Sequence, residues 1–132
     1  MSILHLTDLH FSNETPLEET EQRWESILAS IKNSHAITSF DVVAVTGDFT
    51  CHGDPQEFAL CSHYLERLLQ LLSLTKEEIH FCPGNHDADE TKAHSSFHHY
   101  EDFLSQFYGK ESSQPACKIL RHPADAPPAG CY

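Results

Sequence analysis

The sequence predicts an α/β protein in which strands and helices alternate along the chain. Three short apolar runs are each followed by a segment whose apolar residues recur three or four positions apart. Short apolar runs are typical of strands, and the longer spacing is typical of amphipathic helices. The resulting βαβαβα order is the pattern of right-handed crossovers, which place successive strands parallel in one sheet.

The first strand and helix are predicted from the N-terminal 33 residues. The run Ile3–Leu6 breaks at Thr7-Asp8, and its shortness favours a buried strand over a helix. Thr15 followed by a proline and, three residues on, by Glu18 indicates a capped helix start, so a helix is expected from about Pro16 to Asn33. Its apolar face would consist of Trp24, Ile27, Leu28 and Ile31.

The second and third strands are predicted from two further apolar runs. The stretch "DVVAVTGDF" is rich in β-branched residues, which indicates a strand covered on both faces. A helix capped by Asp54 follows it, and its apolar residues are Phe58, Cys61, Leu65, Leu68, Leu69 and Leu72. The third strand is Ile79–Cys82, and a last helix is expected from the spacing of Phe97, Tyr100, Leu104 and Phe107, with Gly109 as its C-cap.

The chain divides into two parts by composition. Residues 1–109 carry all the periodic segments, whereas residues 110–132 contain four prolines and no sustained period. The second part is therefore predicted to be an irregular tail.

Charge and cysteine usage exclude several classes of protein. Eight basic against twenty acidic residues give a net charge of −12, which disfavours nucleic acid and anionic lipid as partners. The five cysteines form no Cys-x-x-Cys pair, which favours reduced thiols in a cytoplasmic protein. No apolar stretch approaches the ~20 residues of a membrane span, so no membrane association is expected.

Polar side chains follow each predicted strand at the point where it ends. Asp8 and His10 follow the first strand, Asp48 the second, and Asn85 and His86 the third. Because the carboxyl ends of parallel strands share one edge of the sheet, these residues are expected to converge there. Each of them could instead serve as an ordinary turn or cap residue, but their joint occurrence favours a site.

The donor types of this group suit two divalent metal ions. Carboxylates, imidazoles and a carboxamide without thiolates are typical of Mn, Fe or Zn sites. Asp8 and His10 are two residues apart, so in an extended backbone they would face the same side and bind one ion. Asp48 could bridge that ion to a second one, to which Asn85 could supply an oxygen. His86 would then be the catalytic residue, acting on a phosphoryl oxygen or the leaving group.

Three motifs carry a resemblance to a known family. The stretches "DLH" from Asp8, "GDFTCHG" from Gly47 and "GNHD" from Gly84 resemble the first three motifs of the calcineurin-like metallophosphoesterases. Among them the chain is most similar to the bacterial enzymes that include cyclic-nucleotide phosphodiesterases. The resemblance implies that Asp8 and His10 bind the first metal, Asp48 bridges and Asn85 binds the second, with His86 catalytic. It also implies the N-terminal part of a four-layer α/β/β/α sandwich.

The chain departs from this family after the third motif. The Gly-His-x-His motif that supplies ligands to both metals does not occur, and His122-Pro123 resembles an intermediate motif no more than chance allows. The expected fold is therefore incomplete. The chain is either the N-terminal half of a longer enzyme or a shortened relative. The second sheet would be missing, so that a partner chain or a C-terminal half would have to cover the exposed surface.

The expected function is metal-dependent hydrolysis of a small phosphate mono- or diester, with a cyclic nucleotide among the open substrates. The alternative is a truncated, non-catalytic relative that binds metal weakly or acts through a partner chain. Two further questions stay open at this stage. Asp87 or Asp54 could orient His86, and His98 with Asp102, one helical turn apart, could form a second metal site or a solvated helix face.

Overall fold

A computed structural model describes residues 1–34, 39–89 and 96–109 of the protein. Its sheet has three parallel strands in the order β1-β2-β3, which are Ile3–Thr7, Val42–Thr46 and Ile79–Cys82. The register aligns His5 with Ala44 and His80, and Thr7 with Thr46 and Cys82. All three strands therefore end at the same level, and the predicted α/β class with a parallel sheet is confirmed.

Three helices connect or follow these strands: α1 is Leu17–Lys32, α2 is Pro55–Leu72 and α3 is His98–Tyr108. Asp54 caps α2 as predicted, because its carboxylate accepts a hydrogen bond from the Gln56 backbone N–H at 2.7 Å. The predicted Thr15 cap of α1 is wrong. Pro16 occupies the cap position with an extended backbone, and α1 begins without a side-chain cap.

All the helices pack on one face of the sheet. Val43 and Val45 of β2 and Ile79 of β3 are fully buried there, and they join one core cluster with side chains from each helix. The helical contributors include Trp24, Leu28, Phe58, Cys61, Leu65, Leu68, Tyr100, Phe103 and Phe107. Both crossovers place their helix on the same side, as consecutive right-handed connections between adjacent strands require.

The opposite face of the sheet is not covered in the same way by the described residues. Along β1 the side chains alternate between exposed and half-buried, and Ile3 is 52% exposed. His80 and Cys82 on the same face of β3 are exposed. Within the described ranges a covering layer lies on the helix side, so the predicted burial of the first strand and the predicted cover on both faces of the second are not met there.

Several sequence-based expectations concern other properties of the chain. Within the described ranges, no helix is both long enough and apolar enough to cross a membrane. Of the described cysteines, Cys51 and Cys61 are free thiols. The predicted tail, including His122-Pro123, lies outside the described residues.

Candidate metal centre

The carboxyl edge of the sheet brings Asp8, His10 and Asp48 together. Each offers one ligand atom, and these atoms all lie within 4.8 Å of one another. Among the described histidine, cysteine and acidic side chains, this is the one group of three with such geometry. Asp8 is exposed, whereas His10 and Asp48 are half-buried, so an ion would reach the cluster from solvent.

These three residues share an unusual backbone conformation. The φ angles of Asp8, His10 and Asp48 are 53°, 47° and 43°, in the left-handed region that residues other than glycine seldom occupy. Ser73, at the end of α2, is the other non-glycine residue of this kind in the described ranges. A left-handed residue costs on the order of 1 kcal/mol or more, and such strain is concentrated at functional sites.

The left-handed conformation corrects the reason given for the pairing of Asp8 with His10. In the extended backbone predicted from the sequence, residues two apart would face the same side. In the structure β1 ends at Thr7, and the chain turns sharply at both residues. The predicted convergence occurs nevertheless, with His10 Nε2 lying 3.8 Å from Asp8 Oδ1.

Hydrogen bonds between the two strand-end loops hold this geometry. The backbone N–H of Asp8 donates to the Gly47 carbonyl at 3.2 Å, and that of His10 donates to the Asp48 carbonyl at 3.0 Å. The Thr7 hydroxyl donates to Asp8 Oδ2 at 2.5 Å. The two loops therefore continue the pairing of β1 with β2 beyond the regular strands.

A buried phenylalanine anchors each loop immediately after its candidate ligand. Phe11 follows His10, is 1% exposed and packs against the rings of Trp24 and Tyr64 at 5.7 and 5.4 Å. Phe49 follows Asp48, is fully buried and lies among the rings of Phe58, Phe81, Tyr100 and Phe103. Since an aromatic side chain loses much free energy when it leaves a core, these anchors fix where the strained turns can lie.

Two glycines fit the site for different reasons. Gly47 has a φ of 67° and provides the turn from β2 into Asp48. Gly84 has an ordinary φ, but a Cβ placed on it would lie 2.1 Å from Asp48 Oδ1. Only glycine therefore lets the loop after β3 approach the Asp48 carboxylate so closely.

A buried carboxylate joins the loops after β2 and β3. Asp87 is fully buried, and its oxygens accept hydrogen bonds from the backbone N–H groups of Phe49, Thr50 and Gly84 and from the Thr50 hydroxyl, at 2.8 to 3.4 Å. Burial raises the pKa of Asp87 above its ordinary value, although these donors act in the opposite direction. Asp87 therefore holds the residues that follow Asp48 against the turn that carries Asn85 and His86.

His86 lies beside the ligand group and is oriented by a backbone atom. Its backbone N–H donates to Asp48 Oδ1 at 3.0 Å, and its ring lies edge-on to that of His10 with the centroids 5.5 Å apart. Its Nδ1 is 3.0 Å from the carbonyl oxygen of Cys51. Because a carbonyl only accepts, Nδ1 carries the proton in this contact and Nε2 is the ring atom left for other partners.

The Cys51 carbonyl, and neither Asp87 nor Asp54, orients the His86 ring. Neither carboxylate binds the His86 ring: Asp87 binds backbone groups, and Asp54 caps α2. Sequence reasoning missed the Cys51 carbonyl because a backbone acceptor leaves no trace in residue types. The Cys51 thiol itself donates to the His10 carbonyl at 3.3 Å, and burial raises its pKa.

Asn85 begins the short 3-10 turn Asn85–Asp87 and is exposed next to the Asp48 contact. Its assignment as a ligand of a second metal stays a prediction. Outside the site, His98 and Asp102 form an ion pair at 3.4 Å with both side chains more than half exposed, as on a solvated helix face. The His52 ring lies 3.0 Å from the carboxylate of Glu57, which is fully buried and also accepts a hydrogen bond from the His52 backbone N–H.

The fold and this cluster define an α/β domain with a candidate metal site of nitrogen and oxygen donors at the carboxyl edge of a parallel sheet. The chain belongs to the calcineurin-like phosphoesterase family, whose model matches residues 1–122. It is 30% identical over 84 residues to the uncharacterized metallophosphoesterase-like protein YydB of Bacillus subtilis strain 168. The alignment covers 64% of this chain and 17% of YydB, so the chain spans less than a fifth of that relative's length.

Proposed function

We propose that this chain takes part in metal-dependent hydrolysis of a phosphate mono- or diester. Asp8, His10 and Asp48 would hold a divalent ion, and His86 would contact the reacting phosphoryl group. Membership of the phosphoesterase family supports the reaction class. The YydB alignment supports it only at the level of that protein's name.

The observation that carries this proposal is the combination of convergence and strain at the three ligands. Their donor atoms lie within 4.8 Å of one another, and all three residues have φ between 43° and 53°. Glycine would adopt these angles without the steric cost, so side chains kept at all three positions support a use for their donor atoms.

The donor set fits a divalent metal. Two carboxylates and one imidazole suit Mn, Fe or Zn better than Mg or Ca, which prefer oxygen ligands throughout. Such ions, when bound, lower the pKa of a coordinated water and withdraw charge from phosphoryl oxygens. The identity and number of the ions belong to this proposal.

His86 would act through Nε2. With Nδ1–H held by the Cys51 carbonyl, the ring presents Nε2 as the atom that can contact substrate. The edge-on contact with His10 keeps this atom close to the ligand group. We assign it to a phosphoryl oxygen or to the leaving oxygen, where a positioned histidine contributes roughly 10²- to 10⁴-fold to the rate.

A second candidate function is a metal-binding domain that does not catalyse hydrolysis alone. It is favoured by the single group of three ligands within the described residues, because a second ion would have only Asp48 and Asn85 from this part of the chain. Each missing ligand leaves a coordination position to water and weakens the hold on the ion. Further ligands would then come from a partner chain or from residues beyond the described ranges.

The test is Mn²⁺-dependent hydrolysis of bis(p-nitrophenyl) phosphate by the purified chain. Hydrolysis is expected to require Mn²⁺ and to fall at least 100-fold in Asp48→Asn and His86→Ala. His63→Ala is the matched control, because His63 is an exposed histidine on α2 away from the site, and it should retain full activity. Absence of hydrolysis by a chain that binds Mn²⁺ would favour the second candidate.

A further inference from the structure

We propose that Glu57 of α2 is a positioning residue for His86, acting through the peptide group that joins Cys51 to His52. Glu57 Oε2 accepts a hydrogen bond from the His52 backbone N–H at 2.8 Å. The carbonyl of the same peptide group lies 3.0 Å from His86 Nδ1 and orients that ring. The inference rests on the proposed function only for the role that His86 has in the reaction.

A single peptide plane links these two contacts. The peptide group between Cys51 and His52 is trans, so its N–H and its C=O lie in one plane and point in opposite directions. A carboxylate that holds the N–H therefore also fixes the direction of the C=O, and with it the direction in which His86 Nε2 points. Hydrogen bonds in such a chain polarise one another, which strengthens each of them by roughly 10 to 30%.

Glu57 is a costly residue to bury. Its side chain is fully buried, and a carboxylate in such a place costs free energy unless hydrogen bonds compensate for the lost water. Oε2 binds the His52 backbone N–H, and Oε1 lies 3.0 Å from His52 Nδ1. Both oxygens of the buried carboxylate are therefore directed at the residue that follows Cys51.

Helix capping does not account for the contact that Glu57 makes. Glu57 is the third residue of α2, where a glutamate commonly bonds back to the N–H of the cap residue, here Asp54. It binds instead the N–H of His52, two residues before the cap. The cap is provided by the Asp54 carboxylate, which accepts from the Gln56 N–H. The contact of Glu57 thus serves the loop after β2 rather than the helix.

The other hydrogen bonds of this loop hold the peptide groups that precede Cys51. The Thr50 N–H donates to Asp87 at 2.8 Å, and the Cys51 N–H donates to a carbonyl of the loop after β1 at 3.0 Å. Neither N–H belongs to the peptide group whose carbonyl orients the catalytic candidate. That peptide group is the one held by Glu57, so substitution of Glu57 should act on the ring it orients.

The experiment is NMR of the His86 ring nitrogens in the full metal-free chain at about pH 8, where histidine is ordinarily neutral. In the original chain the Nδ1–H tautomer should give two well-separated nitrogen resonances. Glu57→Met has a similar length but no comparable acceptor, so it should release the peptide group, mix both tautomers and reduce the separation by roughly a third or more. Glu57→Gln keeps an acceptor oxygen at the same reach and should retain the original separation.

Two control variants separate the path through the peptide group from other effects. His52→Ala removes the ring beside Glu57 but keeps the backbone N–H, so the His86 resonances should stay where they are. Glu66→Met removes a partly exposed glutamate of the same helix and should not move them either.

Unchanged His86 resonances in a folded Glu57→Met chain would overturn the proposal, and so would equal movement in His52→Ala. If Glu57→Met does not fold, Glu57→Asp takes its place, because it withdraws the carboxylate from the His52 N–H by one methylene and should also move the resonances. The measurement needs neither metal nor substrate. A failure here is therefore distinguishable from an absence of Mn²⁺-dependent hydrolysis.

Discussion

The helix-covered face of the sheet and its carboxyl edge differ in burial, polarity and backbone conformation, although the same strands build both. Val43 and Val45 of β2 are fully buried in a regular strand. Asp48, three residues past Val45, is half-buried and left-handed. The covered face stabilises the fold at ordinary backbone angles, whereas the edge loses part of that stability by holding the candidate ligands in strained turns.

Only a few residues connect the helix-covered face of the sheet to its carboxyl edge. Phe11 and Phe49 reach into the core directly after a ligand, and Asp87 binds the backbone on both sides of the edge. Changes in the core should therefore affect folding first, and changes in the joining residues should affect folding and metal binding together. Changes in the candidate ligands should affect metal binding most and stability only slightly.

The largest effect is expected in the core. Leu65 of α2 is fully buried, so Leu65→Ala should lower the free energy of unfolding by about 3 kcal/mol through lost burial and a cavity. Urea denaturation measures this change. Leu17→Ala removes the same atoms from a side chain that is 66% exposed and should change stability by less than about 0.5 kcal/mol. Equal losses in the free energy of unfolding for Leu65→Ala and Leu17→Ala would show that the buried core does not supply most of the stability.

The next effect is expected at the joining residue Asp87. Asp87→Asn keeps the size but replaces one acceptor oxygen by a donor facing backbone N–H groups, which should cost about 2 kcal/mol of stability. Mn²⁺ affinity should also fall at least 10-fold when both chains are folded, because the loop after Asp48 loses its tie. Asp102→Asn on the exposed face of α3 is the control. Unchanged Mn²⁺ affinity in Asp87→Asn would refute its positioning role.

A gain in stability is expected at a ligand. Asp8→Asn removes repulsion between the Asp8 and Asp48 carboxylates and keeps a residue type that tolerates left-handed backbone. The metal-free variant should be more stable than the original chain, by at most about 1 kcal/mol because Asp8 is exposed. Thermal unfolding in EDTA and in Mn²⁺ checks this, and the order should reverse in Mn²⁺. If Mn²⁺ stabilised Asp8→Asn as much as it stabilises the original chain, Asp8 would not bind the metal.

The smallest effect is expected at Cys51. The backbone carbonyl, not the thiol, orients His86, so Cys51→Ala should leave the His86 ring resonances in the NMR spectrum nearly unchanged. The free energy of unfolding should fall by about 1 kcal/mol, since only the weak hydrogen bond from the Cys51 thiol to the His10 carbonyl is removed. Large shifts of the His86 resonances would show that the thiol takes part in the orientation.

Much of the fold could be predicted because burial on one face leaves a period in the sequence. The spacing of Trp24, Leu28 and their neighbours predicts α1 within a residue or two, and Asp54 predicts the start of α2. The exposed face of the sheet is expected from the missing second sheet but not from the strands themselves, since a β-branched run such as "VVAV" looks the same with one covering layer or two.

The residue types of the site could be predicted, but not the geometry that unites them. Three strand ends with carboxylates and imidazoles predict a cluster, and Asp8, His10 and Asp48 do come together. The left-handed backbone at those residues could not be predicted, because aspartate and histidine adopt it without a glycine that would mark the turn in the sequence. The contact of the Cys51 carbonyl with His86 and the backbone N–H groups that donate to Asp87 could not be predicted either, since every residue type supplies such backbone groups.

The most direct test of the account is calorimetric titration of the metal-free chain with Mn²⁺, with Asp8→Asn, His10→Ala and Asp48→Asn beside it. We expect at least one ion bound per chain and a loss of that binding in each variant, with Asp102→Asn binding as the original does. A folded chain that binds no Mn²⁺, or binds it equally well in all three variants, would contradict a metal centre at the carboxyl edge of the sheet.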